Sequence, residues 1–597
     1  MKRDEAQPDL RRIGSRERRR ALALLWQSAW PDRRDIVRAA CFLAVAGLLE
    51  AAGPIFGKRF IDHYVLPRNV DLPAIALLLA GYLATGWLAS ALRYRELVCL
   101  AGLATRSVRR LRERVYAHVL ALPMSFFDRA ITGQLVSRIT NDTEAVRDLY
   151  TKVLFELLVG LTILAGVAIA MLLLDWRLML IVFLLVPATA GIVWGYQRLS
   201  AGAVTRIREL RSDINAQMAE GIAGMSVLQA AGAARRFGER FARTNDAQYR
   251  ARLGEVRANA WLLRPALDLV NVLLIAALVA AIGTQSIAGV EVGLLYAFIA
   301  YLARVVEPLI QITLQFSLVQ QSVIAAARVD ALLHEGHPPP RRADARIGPG
   351  RVEVADVSFG YDPAQPVLHD VSLTVPAGSF VGVVGPTGSG KSTLLSLLLR
   401  FYVPQSGRIG IDGVQLGDID DAQFRAAVGL VPQEPFLLAA TVRENIDMGR
   451  GLPAADIEAA ARAAHAHDFV ERLPQGYDTP LGEGGARLSA GQKQLVAIAR
   501  ALAGRPRVLL LDEATSRIDS ETERHVRDAL AAATGAATVI AIAHRLSTIR
   551  DADCIVVLRN GRIVESGTHD ALMAIKGGLY ERLYVLQRFG EQEAAAP

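Results

Sequence analysis

Residues 385–392 read GPTGSGKS, a full G-x-x-x-x-G-K-[ST] pattern. Its setting decides the reading. The apolar run Phe380–Val384 precedes it and is expected as a buried strand; STLLSLLLRFY follows and is expected as a helix. Strand, glycine-rich loop and helix in that order make a cradle for phosphate oxygens. Gly385, Gly388 and Gly390, with Pro386, Thr387 and Ser389 between them, let backbone N–H groups curl inward, and the helix start adds the positive end of its dipole. Lys391 is expected to reach the terminal phosphates and Ser392 to ligate Mg2+, with Thr393 completing the loop. A chance turn holding Gly, Lys and Ser would lack the strand and the helix.

Downstream, VLLLDEATS (508–516) reads as a buried strand ending in Asp512 and Glu513. A carboxylate at the end of a central strand lies on the ligand side of an open α/β sheet. Asp512 is the expected Mg2+ partner, and Glu513 can orient or deprotonate an attacking water. VIAIAH (539–544) ends another strand in His544, which could hydrogen-bond a γ-phosphate. Gln433, in VGLVPQEPF, has similar status, and Tyr361 could stack on a base. LSAGQKQ (488–494) opens a helix that runs on through LVAIARALAG. A helix start with Ser489 and the backbone around Gly491 is an anion site; Ala490 and Gln492 complete the cluster.

The first half of the chain is of another kind. Mean hydropathy is +0.28, and 52% of residues are apolar although 21% are charged, which points to a membrane part joined to a soluble part. Six apolar stretches reach the ~20 residues that cross a bilayer: 36–57, 73–92, 152–174, 178–197, 261–283 and 291–316. Short joins alternate with long ones, roughly 93–151 and 198–260, and the long ones carry most of the arginines. The positive-inside rule therefore places the long joins and both termini in the cytoplasm, and it accounts for the net charge of +8 without nucleic acid. The long joins keep helical composition, so the spanning helices are expected to continue past the membrane. Each breaks once, near Phe126–Phe127 and near Gly221–Met225. The basic N-terminus lacks a signal-peptide pattern and is expected to be a cytoplasmic tail. Three cysteines (Cys41, Cys99, Cys554) offer no disulfide framework.

These features divide the chain into a tail (1–35), a six-helix transmembrane domain (36–334), a Pro/Gly/Arg-rich linker (335–349), a nucleotide-binding domain (350–590) and a C-terminal tail (591–597). In the nucleotide-binding domain, β-branched runs alternate with helical stretches, giving an α/β expectation with a largely parallel sheet. Polar residues inside spans default to functional readings. Arg304, Glu307, Gln311 and Gln315 recur at helical spacing in the sixth span and are the candidate substrate path, with Pro308 as a possible kink. Arg264 and Asp268, four apart, are expected to pair.

Taken together, Tyr361, the loop at 385–393, Gln433, LSAGQ, LLLDEATS, Asp519 and His544 resemble an ATP-binding cassette, in that family's order. With six spans ahead of it, the chain resembles a half-size ABC exporter, with a type I exporter-like α-helical membrane domain plus an α/β P-loop domain. TGQLVSRITNDTEAVRDLY (132–150), WLLRPAL (261–267) and EVGLLYAFIAYLARVVEPLI (291–310) resemble the B-type half of bacterial multidrug-like heterodimeric exporters. The resemblance implies an ATP hydrolase coupled to export of a hydrophobic or amphipathic compound through the inner membrane, with lipid flipping as the alternative. It implies ATP and Mg2+ as ligands and a second half-transporter as partner, a heterodimer more readily than a homodimer. It implies that Tyr361 stacks on adenine, that Gln433 contacts Mg2+ and the γ-phosphate, and that Glu513 and His544 are catalytic. Ser489, Ala490, Gly491 and Gln492 would face the partner's ATP, Asp519 would bridge the two sites, and the two breaks would be coupling helices. Two departures stand out: Ala490 replaces the usual Gly, and Ser516-Arg517-Ile518 stands where Ser-Ala-Leu is common. ATPases that carry paired cassettes without spans are excluded by the six apolar stretches.

Overall fold

The computed structural model describes residues 14–283, 292–336, 347–512, 520–543 and 545–594. The chain forms two compact units, one of Met1–Leu122 with Ala130–Gly336, the other of Pro123–Arg129 with His337–Pro597.

Among the described residues, six helical runs in the first unit are long and apolar enough to cross a membrane. They are α1 (Ser15–Val65), α2 (Leu72–Leu120), α3 (Thr132–Leu174), α4 (Trp176–Ala223), α5 (Ala234–Ala281) and α6 (Val292–Leu333). The residues that start them are legible. Asp71 accepts from the N–H of Ala74 at the head of α2, with Pro73 in the first turn. Asp175 turns to extended backbone between α3 and α4 and accepts from Arg177 and Leu178, so one residue ends one span and caps the next. As expected, the helices run far past the apolar stretches. The breaks fall where the sequence places them, as short helices Met124–Phe127 and Met225–Ala230. Pro308 lies inside α6.

One expectation fails at the N-terminus. Residues from Ser15 onward are helical rather than a tail, because Ala21, Leu24, Leu25 and Ala29 recur on one face and are buried. A π-helical turn, Ile61–Val65, ends α1, and two others, Arg138–Asp142 and Leu149–Leu154, interrupt α3. Glycine permits close approach between helices: a Cβ on Gly47 would stand 2.4 Å from Thr162 Cγ2, and one on Gly57 2.2 Å from Tyr296 Cε1. Met171, Leu185, Leu278, Phe298, Tyr301 and Leu302 form the core between the helices. The Tyr301 hydroxyl there donates to the Ala51 carbonyl at 2.5 Å.

Among the described residues, the second unit holds ten strands in two sheets. The larger is built from β3 (Phe380–Val384), β6 (Val428–Val431), β7 (Val508–Asp512), β8 (Thr538–Ile542), β9 (Cys554–Arg559) and β10 (Arg562–Gly567). Its order is β10-β9-β3-β8-β7-β6, and every pairing is parallel except β10 with β9. β3 and β8 are buried along their whole length, as runs of Val, Ile and Ala in a covered parallel sheet should be. The smaller sheet corrects the largely parallel expectation. It is antiparallel, ordered β2-β1-β4-β5, from β1 (Val352–Phe359), β2 (Leu368–Val375), β4 (Ser406–Ile411) and β5 (Val414–Gln415). Its chemistry is visible in β1, where Val352, Val354, Val357 and Phe359 are buried, Glu353 and Ser358 fall between them, and an irregularity at Ala355–Asp356 shifts the register so that the buried face is kept. Three helices matter below: α7 (Lys391–Leu398), α8 (Val442–Asp447) and α9 (Ala490–Ala503).

Candidate functional site

The loop 385–390 leaves β3, which lies inside the larger sheet between β9 and β8, and enters α7 through Gly390. Gly390 has φ +102°, and a Cβ there would meet Leu368 Cδ2 at 2.6 Å. At Gly385, a Cβ would lie 2.2 Å from the Leu558 carbonyl oxygen. Only glycine fits these two corners. No side chain caps α7, so its first N–H groups are left to whatever enters the loop. Lys391 is buried, and its ammonium donates to the Gly385 and Pro386 carbonyls at 2.7 and 3.0 Å. Ser389 Oγ is buried and has no hydrogen-bond partner. A positive centre, an uncapped helix start and an orphaned hydroxyl in one loop fit an oxyanion.

Tyr361 is exposed, and its hydroxyl reaches Thr393 Oγ1 at 3.4 Å. Tyr402 stands edge-on to it, with centroids 5.0 Å apart, and edges toward Phe359 as well. The Tyr402 hydroxyl donates to the Asp128 carboxylate in the Pro123–Arg129 segment. Burial, with Asp128 as acceptor beside it, pushes that phenol up to about 12. Sequence reasoning missed Tyr402; the only available signal was RFY at the end of the α7 stretch. Asp512 is half-buried at the end of β7, and Gln433 is exposed in the loop after β6. Glu513, Asp519, His544 and the Ser516-Arg517-Ile518 departure lie outside the described residues.

The α9 start differs from that of α7. Ser489 is its N-cap: Ser489 Oγ accepts from the Gln492 N–H at 3.2 Å, and Gln492 Oε1 accepts from the Ser489 N–H at 3.0 Å. Ser489 and Ala490 are exposed, whereas Gly491 is buried. Ala490 sits in the first turn with helical geometry, its methyl outward. Further along α9, Arg500 donates to the carbonyls of Asn445 and Phe436 and ties the helix to α8 and to the loop before it. Burial holds that guanidinium below its usual range.

In the membrane unit, a cavity of about 750 Å³ opens between α1, α2, α3 and α6. It brings together Arg304, Glu307 and Gln311 but not Gln315, whose Oε1 is buried elsewhere without a hydrogen bond. It adds Glu50, the acid inside the first apolar stretch and a weaker candidate of the same kind, and Glu156, which the spacing in the sixth span could not reveal because it comes from another helix. Glu50 is held by Arg93 through two hydrogen bonds of 2.9 and 2.7 Å. Glu96, fully buried on α2, has neither carboxylate oxygen hydrogen-bonded. The expected Arg264–Asp268 pair involves the Arg264 side chain, which lies outside the described residues.

The ABC transporter transmembrane region family matches residues 36–309, and the ABC transporter family matches residues 368–516. An ABC transporter ATP-binding protein of Streptococcus pneumoniae is 39% identical, over 92% of this chain and 94% of its own. A multidrug resistance-like ATP-binding protein of Buchnera aphidicola is 35% identical over 93% of this chain and 96% of its own. An ATP-dependent lipid A-core flippase of Syntrophus aciditrophicus is 34% identical over 97% of this chain and 96% of its own. The solved structure of a bacterial Atm1-family ABC exporter with ATP bound aligns with a TM-score of 0.76 and 31% identity, over 95% of this chain and 99% of that one.

Proposed function

Since the chain belongs to the ABC transporter family, as a half-size exporter with its transmembrane region fused to an ATP-binding cassette, we propose that it exports a hydrophobic or amphipathic, multidrug-like compound across the bacterial inner membrane at the expense of ATP. The observation that carries this is the loop of buried Lys391, orphaned Ser389 Oγ and uncapped α7, on one chain with six long apolar helices. The cassette lies on the cytoplasmic side. Backbone N–H groups of 385–390 and the Lys391 ammonium hold the phosphates. Ser392, Asp512 and Gln433 hold Mg2+, which offsets phosphate charge when bound. Tyr361 supplies the face for the base. Glu513 takes the proton of the attacking water and His544 donates toward the terminal phosphate.

The partner is a second half-transporter, in a heterodimer more readily than in a homodimer. Ser489 to Gln492 then face the partner's nucleotide, and Asp519 bridges the two sites. A second reading, flipping of a lipid or lipid-linked molecule, draws on the similarity to the lipid A-core flippase.

The test is ATP-dependent uptake into inverted vesicles. Active export accumulates a probe above equilibrium, whereas an ATP-gated leak only equilibrates it. Glu513→Gln should keep ATP binding and lose turnover by on the order of 10²-fold or more. Near-normal turnover removes Glu513 from the role. Purification of this chain alone as an active dimer would overturn the heterodimer.

A further inference from the structure

The cavity between α1, α2, α3 and α6 has a size, about 750 Å³, within the range that encloses a drug-sized molecule. Much of its wall is apolar, from residues such as Leu83, Val159, Ile163 and Val167, and Tyr82 and Trp87 add two aromatic faces. Its ionisable wall groups are Glu50, Glu156, Glu307 and Arg304. Charge within a membrane domain is costly, so its sign and its partners carry information.

Each charge can be followed to its neighbour. Glu50 is taken by Arg93, which stands behind the wall. Arg304 donates to a neutral acceptor, the Glu50 carbonyl, at 2.5 Å. Among the described residues, Glu307 accepts only from the neutral Gln311 amide, at 2.8 Å. Glu156 has no hydrogen bond or ion pair among the described residues. Three wall carboxylates thus face one wall guanidinium, and with Arg93 counted one negative charge remains. It is shared between two acids, Glu156 and Glu307, that make no ion pair among the described residues.

We propose that this cavity binds organic cations that carry their charge on an apolar or aromatic body, with Glu156 and Glu307 as the specificity-determining residues. The apolar wall takes the body. Tyr82 and Trp87 offer ring faces to the cation, whose attraction grows as water is excluded. An anionic amphiphile of the same shape meets the wrong sign. The inference rests on the export reading for its biological use, but binding can be measured without nucleotide.

The full-length protein in nanodiscs is dialysed against tetraphenylphosphonium and against tetraphenylborate, two probes of one shape and opposite charge, with protein-free nanodiscs as blank. The phosphonium should bind about tenfold more tightly than the borate. Its affinity should fall about tenfold in Glu156→Gln or Glu307→Gln and about a hundredfold in the double variant, as two independent charge contacts would. Glu307→Asp keeps the charge and should restore most of the affinity, which separates loss of charge from loss of fold. Equal affinity for the two probes, or an unchanged phosphonium affinity in the double variant, overturns the proposal. Vesicle uptake separates the two readings. Glutamate-dependent phosphonium binding without ATP-driven uptake of any probe leaves the cation site standing and removes export. ATP-driven uptake of a neutral probe, with equal phosphonium and borate binding, does the reverse.

Discussion

Two helices of the cassette begin in opposite ways. The start of α7 is bare: its N-cap is a glycine at positive φ, and no side chain answers its first N–H groups. The start of α9 is closed on itself, with Ser489 and Gln492 exchanging hydrogen bonds. An uncapped start holds its donors and its dipole in reserve for a ligand, while a capped one spends part of them on its own stability. Only the hydroxyl proton of Ser489 and the outermost N–H groups of α9 remain for an incoming anion. The proposed roles follow the same line: α7 holds phosphate alone, and α9 completes a site built by another subunit.

The contrast breaks most severely at Gly390. In Gly390→Ala the methyl would enter the space of Leu368 and require a left-handed backbone, at a cost of about 1–3 kcal/mol. Binding of an ATP analogue should fall on the order of tenfold or more, read by titration beside the unfolding temperature. Normal binding would show that the bare start tolerates a side chain. Ser489→Ala opens the closed start, costing about 1 kcal/mol of stability. It should leave ATP binding to this chain's own loop intact and lower turnover in the assembled dimer. Loss of ATP binding by the isolated chain would mean that α9 serves its own loop.

A third start, that of α8, repeats the closed design with a charged member. Thr441 and Glu444 form its capping box. The N–H of Thr441, and then its hydroxyl, hold the Glu444 carboxyl below its ordinary value of 4.5. At the other end of α8, the N–H of Leu452 is the main group holding Asp447 below its ordinary value of 3.8. Both acids take up protons more readily when unfolded. Their stabilising effect is therefore fully present above pH 4.5 and is lost as pH falls through and below these values. Unfolding measured from pH 6 to pH 3 should show the loss, and Glu444→Gln should reduce its slope, since a glutamine caps without titrating, as it does in α9. The smallest effect belongs to Ala490→Gly. The methyl points to solvent, so stability should fall by less than about 1 kcal/mol, with turnover changed less than about twofold. A larger change in turnover would give the methyl a role in the approach to the partner's nucleotide.

The sequence exposed whatever depends on local order. Twenty apolar residues announce a span, and the glycine spacing of 385–390 announces its loop, because each is a property of a few adjacent residues. β2 and β6 escaped notice: LHDVSLTV mixes polar and apolar residues, and VGLV is too short to carry a period. The N-terminal helix was hidden because its arginines dominate the composition while four small or apolar residues make its buried face. The cavity was half legible. Arg304, Glu307 and Gln311 lie on one helix and recur at its period, but Glu50 and Glu156 join them only through the packing of other helices, which no single stretch encodes. Gln315 fits the period and still misses the cavity.

Tyr402 lies between Tyr361 and Asp128, touching one with its ring edge and the other with its hydroxyl. An aromatic ring does not bend, so a displacement of the oxygen is carried whole to the far edge. The joint has a single pin: among the described residues, the Tyr402 hydroxyl makes this one hydrogen bond to the segment. One substitution at that pin is enough to retune how firmly the Pro123–Arg129 segment and the Tyr361 ring are linked, with neither end altered. A linkage of this kind is cheap for evolution to adjust, and a natural place for related chains to differ in response while keeping the same parts.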